Sequence, residues 1–434
     1  MATKTPYRAR GVWAPAFVCV VFGLSAAATG CADETVELGR SVTRAEAADS
    51  DTTVVPTVCP GWEKTLELAT LVGGGTVAET ALMDIVAEPN GASWTVGWFA
   101  HGSGLTGVAL HRDGAGKLVN AVVAGKDDKQ IVKFHAATRR KGGGIWVVGS
   151  RVHPGTSRIP PGKRPSPMLG RIVGKTFEVL PIANDLFGEL NAITTKADML
   201  LTAGSAASVD ALTEAVRIDL TAVAKPSLTL VHLLGSPDSD ELGNVAAQSA
   251  DARFVAINST TKGQVGELVF DDKPKLIANF HGGHAITGQL RALHVLADGR
   301  PVGVGWVKAD NGTAGVIVVN SADLEKQTVA VLPARSKTDR LEAFAVGAKG
   351  QIHAVGATRS LDGKHREGWF TRIDPVKPTK PVTHRYIGGG LHAGLRSIAS
   401  AGKGRFIIGG FRKGTNGSAL AWQANVDGDG RVCP

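Results

Sequence analysis

The sequence predicts an all-β fold, a seven-bladed β-propeller of four-stranded blades, and three observations predict it. Seven short apolar runs each end at a small residue, at Gly97, Gly149, Gly204, Asn258, Gly305, Gly356 and Gly409, spaced by 52, 55, 54, 47, 51 and 53 residues. A repeat of that length made of strand-like segments is the mark of propeller blades, small sheets that bury their faces on one another. The runs are rich in Val, Ile and Leu and divided by Gly, Asp or Asn, which suits meandering antiparallel strands. Finally, 55 glycines, 5% aromatic residues and no sustained helical period describe an all-β chain.

In chain order, residues 1–30 come first. Lys4, Arg8 and Arg10 precede an apolar stretch from Gly11 to Ala28, the pattern of an export signal. It closes with Ala28-Thr29-Gly30-Cys31, which resembles the lipobox of bacterial lipoproteins, with Ala28 where Leu is commoner. The resemblance implies a lipidated Cys31 as the mature N-terminus; the alternative is an ordinary signal peptide that leaves Cys31 a free thiol. Acyl chains at roughly 0.8 kcal/mol per buried methylene anchor a chain stably. No later run of apolar residues is long enough to span a bilayer, so lipid would be the only anchor. Ala32, rather than Asp, directly after the cysteine implies the outer membrane of a cell envelope. Residues 31–57, rich in Ala, Asp, Glu, Ser and Thr without periodicity, read as a disordered tether, and 58–434 as the propeller.

The blade is clearest in the fifth repeat, where residues 290–296, 301–306, 315–319 and 327–332 supply four strands. The others repeat it around 82–87 and 94–98, 145–149, 199–204, 254–258, 352–356 and 406–409. Asn258 replaces Gly at the fixed point, and Asn tolerates positive φ best after Gly, so the backbone there needs a left-handed or tightly approached conformation. The last repeat has strands at 395–398, 406–409 and 419–424 but no fourth, and a spare strand at 65–72 precedes the first blade. That N-terminal strand completes blade seven and removes the open sheet edges of a monomeric ring. Cys19 lies in the signal. Cys59 and Cys433 bracket the repeats and read as a terminal disulfide in an oxidising compartment, with two unpaired thiols as the alternative.

The last repeat, Lys403-Gly404-Arg405-Phe406-Ile407-Ile408-Gly409-Gly410 and then Asn425-Val426-Asp427-Gly428-Asp429-Gly430, resembles bacterial propeller repeats of the delta-60 kind. The resemblance implies the fold and little about a ligand.

In such a ring the loops entering each innermost strand and those joining second to third strands share one face, where function gathers. There the sequence places Arg151, His153, Arg158, Lys163 and Arg164 in blade two, Arg359, Lys364, His365 and Arg366 in blade six, and Arg412 and Lys413 in blade seven. The net charge is +9, and +6 once Lys4, Arg8 and Arg10 leave with the signal. A cationic rim at an envelope suits an envelope protein or an acidic glycan. Nucleic acid fits poorly, because aromatic residues are not interleaved with the basic ones.

Other constellations are weaker. Asn425, Asp427 and Asp429 alternate oxygen ligands like a calcium loop, but the closing carboxylate is missing and an Asp-Gly hairpin turn accounts for the same residues. No other cofactor is implied. His281 and His284, with His294 and His392, lack a positioned carboxylate for a metal. The segment 170–176 mimics a phosphate loop but reads as a strand. Trp98 and Trp306 share one repeat position, where they pack between blades or stack on a sugar. No nucleophile elbow, zinc-protease motif or Asp box appears, which argues against an enzyme and leaves catalytic residues unassigned. The expectation is therefore a lipid-anchored binding or scaffold module. Its alternative is a polysaccharide hydrolase or lyase using channel-mouth carboxylates among Glu79, Asp127, Asp128, Asp185, Asp238 and Asp240.

Overall fold

Strand-forming runs of Val, Ile, Thr and aromatic residues, cut by Gly and Asp turns, assemble into seven four-stranded antiparallel sheets. The computed structural model describes residues 62–432 apart from interruptions at loops, the longest being 153–164, 220–226, 232–240 and 246–253; over 205–287 it describes the backbone alone. Six sheets are built from four consecutive strands, as in Thr80–Ala87, Ser93–His101, Gly104–Arg112 and Leu118–Ala124. The inner strands are Thr80–Ala87, Val132–Arg139, Leu186–Lys196, Glu241–Val245, Gly288–Val295, Arg340–Val346 and Ala393–Gly402. Each touches the inner strand of the next sheet, and Ala393–Gly402 touches Thr80–Ala87. The arrangement is a propeller-type all-β fold.

Sheets packed on both faces bury both sides of their middle strands, so these read as continuous apolar runs rather than alternating ones. Pro301–Ala309 and Gly312–Asn320 show it: Val302, Val304, Val316 and Ile317 are all fully buried. Cores form between sheets as well as within them. One joins Val302, Ile317 and Leu332 to Leu341, Ile352 and Trp369 of the following sheet.

The seventh sheet takes its outer strand from the N-terminal side. Glu63–Leu66 pairs antiparallel with Ala419–Val426, Glu63 opposite Ala424 and Leu66 opposite Ala421. The expected strand over 65–72 is thus shorter and earlier. Ala419, the end of the partner strand, lies just beyond the partner of Leu66, and the chain turns away as a 3-10 helix, Leu68–Val72. Gly73 at φ 94°, in the left-handed region that glycine alone enters freely, ends it. Leu68 and Ala69 plug a core with Leu82, Phe99 and Val108. The seam also holds a buried polar network: Arg112 Nε donates to Gln423 Oε1 at 2.8 Å, Arg112 Nη1 to the Gly116 carbonyl at 3.0 Å, and Gln423 Nε2 to Thr95 Oγ1.

The fixed small residue has a physical cause. Each inner strand carries one extra residue against its partner, a β-bulge, and opposite a glycine the carbonyl ahead of the bulge approaches the neighbouring strand closely. A Cβ on Gly97, Gly149, Gly305 or Gly356 would sit 1.8–2.0 Å from the carbonyl oxygen of Ala81, Lys133, Gln289 or Arg340. None of these glycines has positive φ, so close approach rather than a left-handed backbone sets the choice. In the seventh sheet the residue in this register is Gly410, opposite Leu395 as Gly97 is opposite Leu82. The expected Gly409 is its neighbour.

Candidate functional site

The bulge residues are Met83, His135, Asn191, Gly243, Arg291, Glu342 and Arg396. An inserted residue breaks the two-residue alternation and re-aims its side chain. Here Met83, His135, Asn191, Arg291, Glu342 and Arg396 line a cavity of about 420 Å³ between the inner strands. On one side, Asn191 Oδ1 lies 2.7 Å from His135 Nδ1. An amide oxygen only accepts, so Nδ1 carries the proton and Nε2 the lone pair of the neutral ring. Nε2 is 3.7 Å from Glu189 Oε2, and Glu189 Oε1 accepts from Ser150 Oγ at 3.1 Å and from Lys133 Nζ at 3.4 Å. Burial holds the His135 imidazole below its ordinary pKa, against the pull of Glu189.

Asp84 follows the first bulge. Its carboxylate accepts from the backbone N–H of Ile85 at 2.8 Å and of Ala137, on the next inner strand, at 2.9 Å. Loss of hydration still outweighs those bonds and pushes the carboxyl up to about 6. On the other side, buried Glu342 lies 3.4 Å from Arg291 Nε and 3.7 Å from Arg396 Nη1.

A second cavity, of about 380 Å³, is lined, among the described residues, by Thr338, Arg340, Arg359, Lys364, His365, Arg366 and His392. Arg340 begins an inner strand, Arg359 ends Ile352–Arg359, Arg366 begins Arg366–Ile373, and His392 stands just ahead of Ala393–Gly402. They therefore converge from the two kinds of loop on the same face. Two of the guanidinium groups lie over aromatic rings: Arg340 4.8 Å from the Trp306 centroid and Arg366 5.6 Å from that of Phe411. The loop between Arg359 and Arg366 is held by its own turn, with Ser360 and the Lys364 N–H both on Asp362 Oδ1. Buried Asp339 fixes the adjoining segment, accepting from the backbone N–H groups of Arg335 and Ser336 and from Thr358 Oγ1. Burial lowers the Arg366 pKa, and nearby Arg396 and Arg340 lower it further while Glu342 and Glu79 oppose.

Of the expected basic residues, Lys364 and Arg366 meet here, as do Arg359 and His365. Arg151, partly buried on Ile145–Val152, does not line this cavity. His153, Arg158, Lys163 and Arg164 lie outside the described residues, as do Cys31, Cys59, Cys433 and His284. Arg412 pairs with Glu63 at 2.8 Å. Of the channel-mouth carboxylates, Glu79 is exposed, while Asp127, Asp128, Asp185, Asp238 and Asp240 lie outside the described residues. Trp98 and Trp306 pack between sheets under Lys133 and Arg340.

Asp427 Oδ1 accepts from the N–H groups of Asp429 and Arg431, both at 2.8 Å, and Asp429 pairs with Arg372 at 2.7 Å, while Asn425 is buried in its strand. Among the described residues, no group of three or more His, Cys, Asp or Glu is placed to hold a metal. The segment 170–176 runs from Pro165–Val173 through a turn into Thr176–Leu180, a hairpin and not a phosphate loop.

Sequence reasoning missed Arg340 and the whole axial set, and it named His392, just ahead of an inner strand, only as a weak metal candidate and not as part of the basic face. Aligning the repeats on the fixed glycine points to the axial set: in four of seven repeats the bulge lies fourteen residues ahead of the glycine read from the sequence, directly after a Leu or Phe.

No known protein family matches the chain, and no curated protein matches it significantly. Solved structures do. It is similar to a puromycin hydrolase mutant complexed with PGG at TM-score 0.52 and 11% identity over 86% of this chain, and spans only 56% of that longer chain. It is similar to an ulvan lyase from a new family of polysaccharide lyases, bound to -[GlcA(1-4)Rha3S]-, at TM-score 0.53 and 10% identity, covering 83% of this chain and 95% of that one. A periplasmic gluconolactonase of Pseudomonas aeruginosa is similar at TM-score 0.49 and 13% identity, over 71% of this chain and 86% of that one. At these identities the likeness to the hydrolase and the ulvan lyase shows the fold alone.

Proposed function

We propose that this chain is a lipid-anchored propeller of the cell envelope that binds an acidic glycan through its basic loop face. The seven sheets are its blades, Cys59 and Cys433 lock the seam as a disulfide, and Cys31 carries the lipid that holds it, by preference, at the outer membrane. One observation carries the reading: the described lining of a cavity of about 380 Å³ is three arginines, a lysine, two histidines and a threonine. Cations crowded in excess over the acids around them repel one another and are held together by the fold, and an anion relieves that repulsion. The planar guanidinium groups of Arg340 and Arg366, oriented by their aromatic partners, suit carboxylate or sulfate oxygens. The ulvan lyase of similar fold is bound to a glycan that carries both kinds of acid, which supports the ligand class.

The test is titration of the detergent-solubilised full-length protein with an acidic polysaccharide, wild type against Arg359→Glu with Lys364→Glu. Both side chains sit at the cavity rim, so reversal spares the core. Loss of affinity of tenfold or more is expected, whereas unchanged affinity moves the ligand elsewhere. An envelope protein captured in place of glycan, cross-linked on this face, would replace the ligand class while keeping the site.

A further inference from the structure

We propose that the axial cavity is a catalytic centre for β-elimination in a uronate-containing glycan, with His135 as base and Asp84 as acid. The proposal rests on the acidic-glycan reading above and adds a second site and a reaction to it. The inner-strand bulges bring four kinds of group to one cavity of about 420 Å³, a size that holds a short stretch of sugar chain. His135 is held by Asn191 so that its free lone pair is on Nε2. Glu189, 3.7 Å from that nitrogen, stabilises the imidazolium that forms when it takes a proton. Asp84 reaches the backbone N–H of Ala137, two residues from His135 on the same strand, which sets acid and base side by side. Arg291 and Arg396 stand on the other side, with Glu342 between them.

Elimination needs these parts. The proton on C5 of a uronate becomes acidic only when the adjoining carboxylate is neutralised, which is the task of the two guanidinium groups. His135 Nε2 takes the C5 proton, and the C5–H electron pair becomes the C4=C5 double bond. The C4–O bond breaks, and the departing oxygen keeps its electron pair and takes the proton of Asp84. Proton transfer from His135 to Asp84 through solvent restores both groups, and no water or oxidant is consumed. Hydrolysis fits these residues less well. It needs a second carboxylate to activate water or attack the sugar, and Glu189 and Glu342 are both tied into ion pairs. Burial raises the Asp84 carboxyl to about 6, so it holds its proton to higher pH than an ordinary carboxyl, and burial lowers the His135 imidazole, so it sheds its proton at lower pH than an ordinary histidine.

The test incubates the full-length protein with polygalacturonate, alginate and chondroitin sulfate, following the ultraviolet absorbance of the conjugated unsaturated uronate together with new reducing ends. With at least one of them, both signals rise in equal molar amounts. His135→Gln and Asp84→Asn each slow them about 100-fold or more, while binding measured on the basic cavity stays within twofold. Asp84→Asn keeps an acceptor for the Ala137 N–H, and thermal unfolding of each variant checks its fold. Asp84→Asn removes the alkaline fall of the pH–rate profile and His135→Gln the acidic one. Reducing ends without absorbance would mean hydrolysis and overturn the proposal. Binding without cleavage of all three polymers would overturn it and leave the binding function standing, whereas loss of binding as well would remove both.

Discussion

Gly356→Ala tests the link between the repeat and the bulge. A Cβ there would lie 1.8 Å from the carbonyl oxygen of Arg340 and 2.8 Å from the Cα of Leu341, both backbone atoms of the inner strand. A carbon tolerates an oxygen no nearer than about 3.3 Å, so the strands must part by ~1.5 Å. Parting them weakens at least two ladder hydrogen bonds at roughly 0.5–1.5 kcal/mol each. Residual crowding adds about 1–3 kcal/mol. The expected destabilisation is therefore ~2–6 kcal/mol, measured as a lower midpoint in urea unfolding at unchanged slope. Gly428→Ala is the control: its Cβ would meet His353 Cε1 at 3.6 Å and the Gly404 oxygen at 3.7 Å, ordinary contacts. There the loss of unfolded-state freedom stabilises by about 0.4–1 kcal/mol. If Gly356→Ala were as stable as the wild type, the close carbonyl would not be what keeps glycine at the repeat's fixed point.

Three further outcomes follow from buried polar groups. Gln423→Ala strips the acceptor from buried Arg112 Nε at the seam and should cost about 2–3 kcal/mol in chemical denaturation. Asp84 is raised from 3.8 to about 6, so its share of stability is complete below pH 3.8 and lost as pH rises through 6. Asp84→Asn should therefore gain stability relative to wild type between pH 4 and pH 7. His353, packed between Phe370 and Phe406, is lowered from 6.5 to about 4, so its share is complete above pH 6.5 and lost as pH falls through 4. His353→Gln should flatten the acid limb of thermal unfolding curves; a limb as steep as in the wild type would mean that His353 does not titrate there.

Much of the fold was legible because a blade is a local unit: four strands joined by short turns leave a period that survives without any conserved motif. The register was less legible. Gly409 and Gly410 are adjacent, and only the pairing of Leu395 with Gly410 shows which faces the bulge. The run at 65–72 has strand composition throughout, yet the length of the partner strand decides where pairing ends. In the basic site, Lys364 and Arg366 were visible because charges in equivalent loops share a face. Arg340 was not, since it belongs by sequence to an inner strand, and His392, on the approach to one, was read only as a weak metal candidate. The axial set was hidden for a related reason: a one-residue bulge reverses the inward and outward alternation from which strand faces are read.

The most direct measurement compares binding of the full-length protein to polygalacturonate and to the same polymer with its carboxylates reduced to alcohols, by calorimetry at low and at physiological salt. Cations gathered in excess in this lining predict saturable binding of the polyanion that weakens as salt screens the charges, and at least tenfold weaker binding of the reduced polymer. Equal affinity for both polymers, or affinity indifferent to salt, would contradict the assignment of the basic face as an acidic-glycan site.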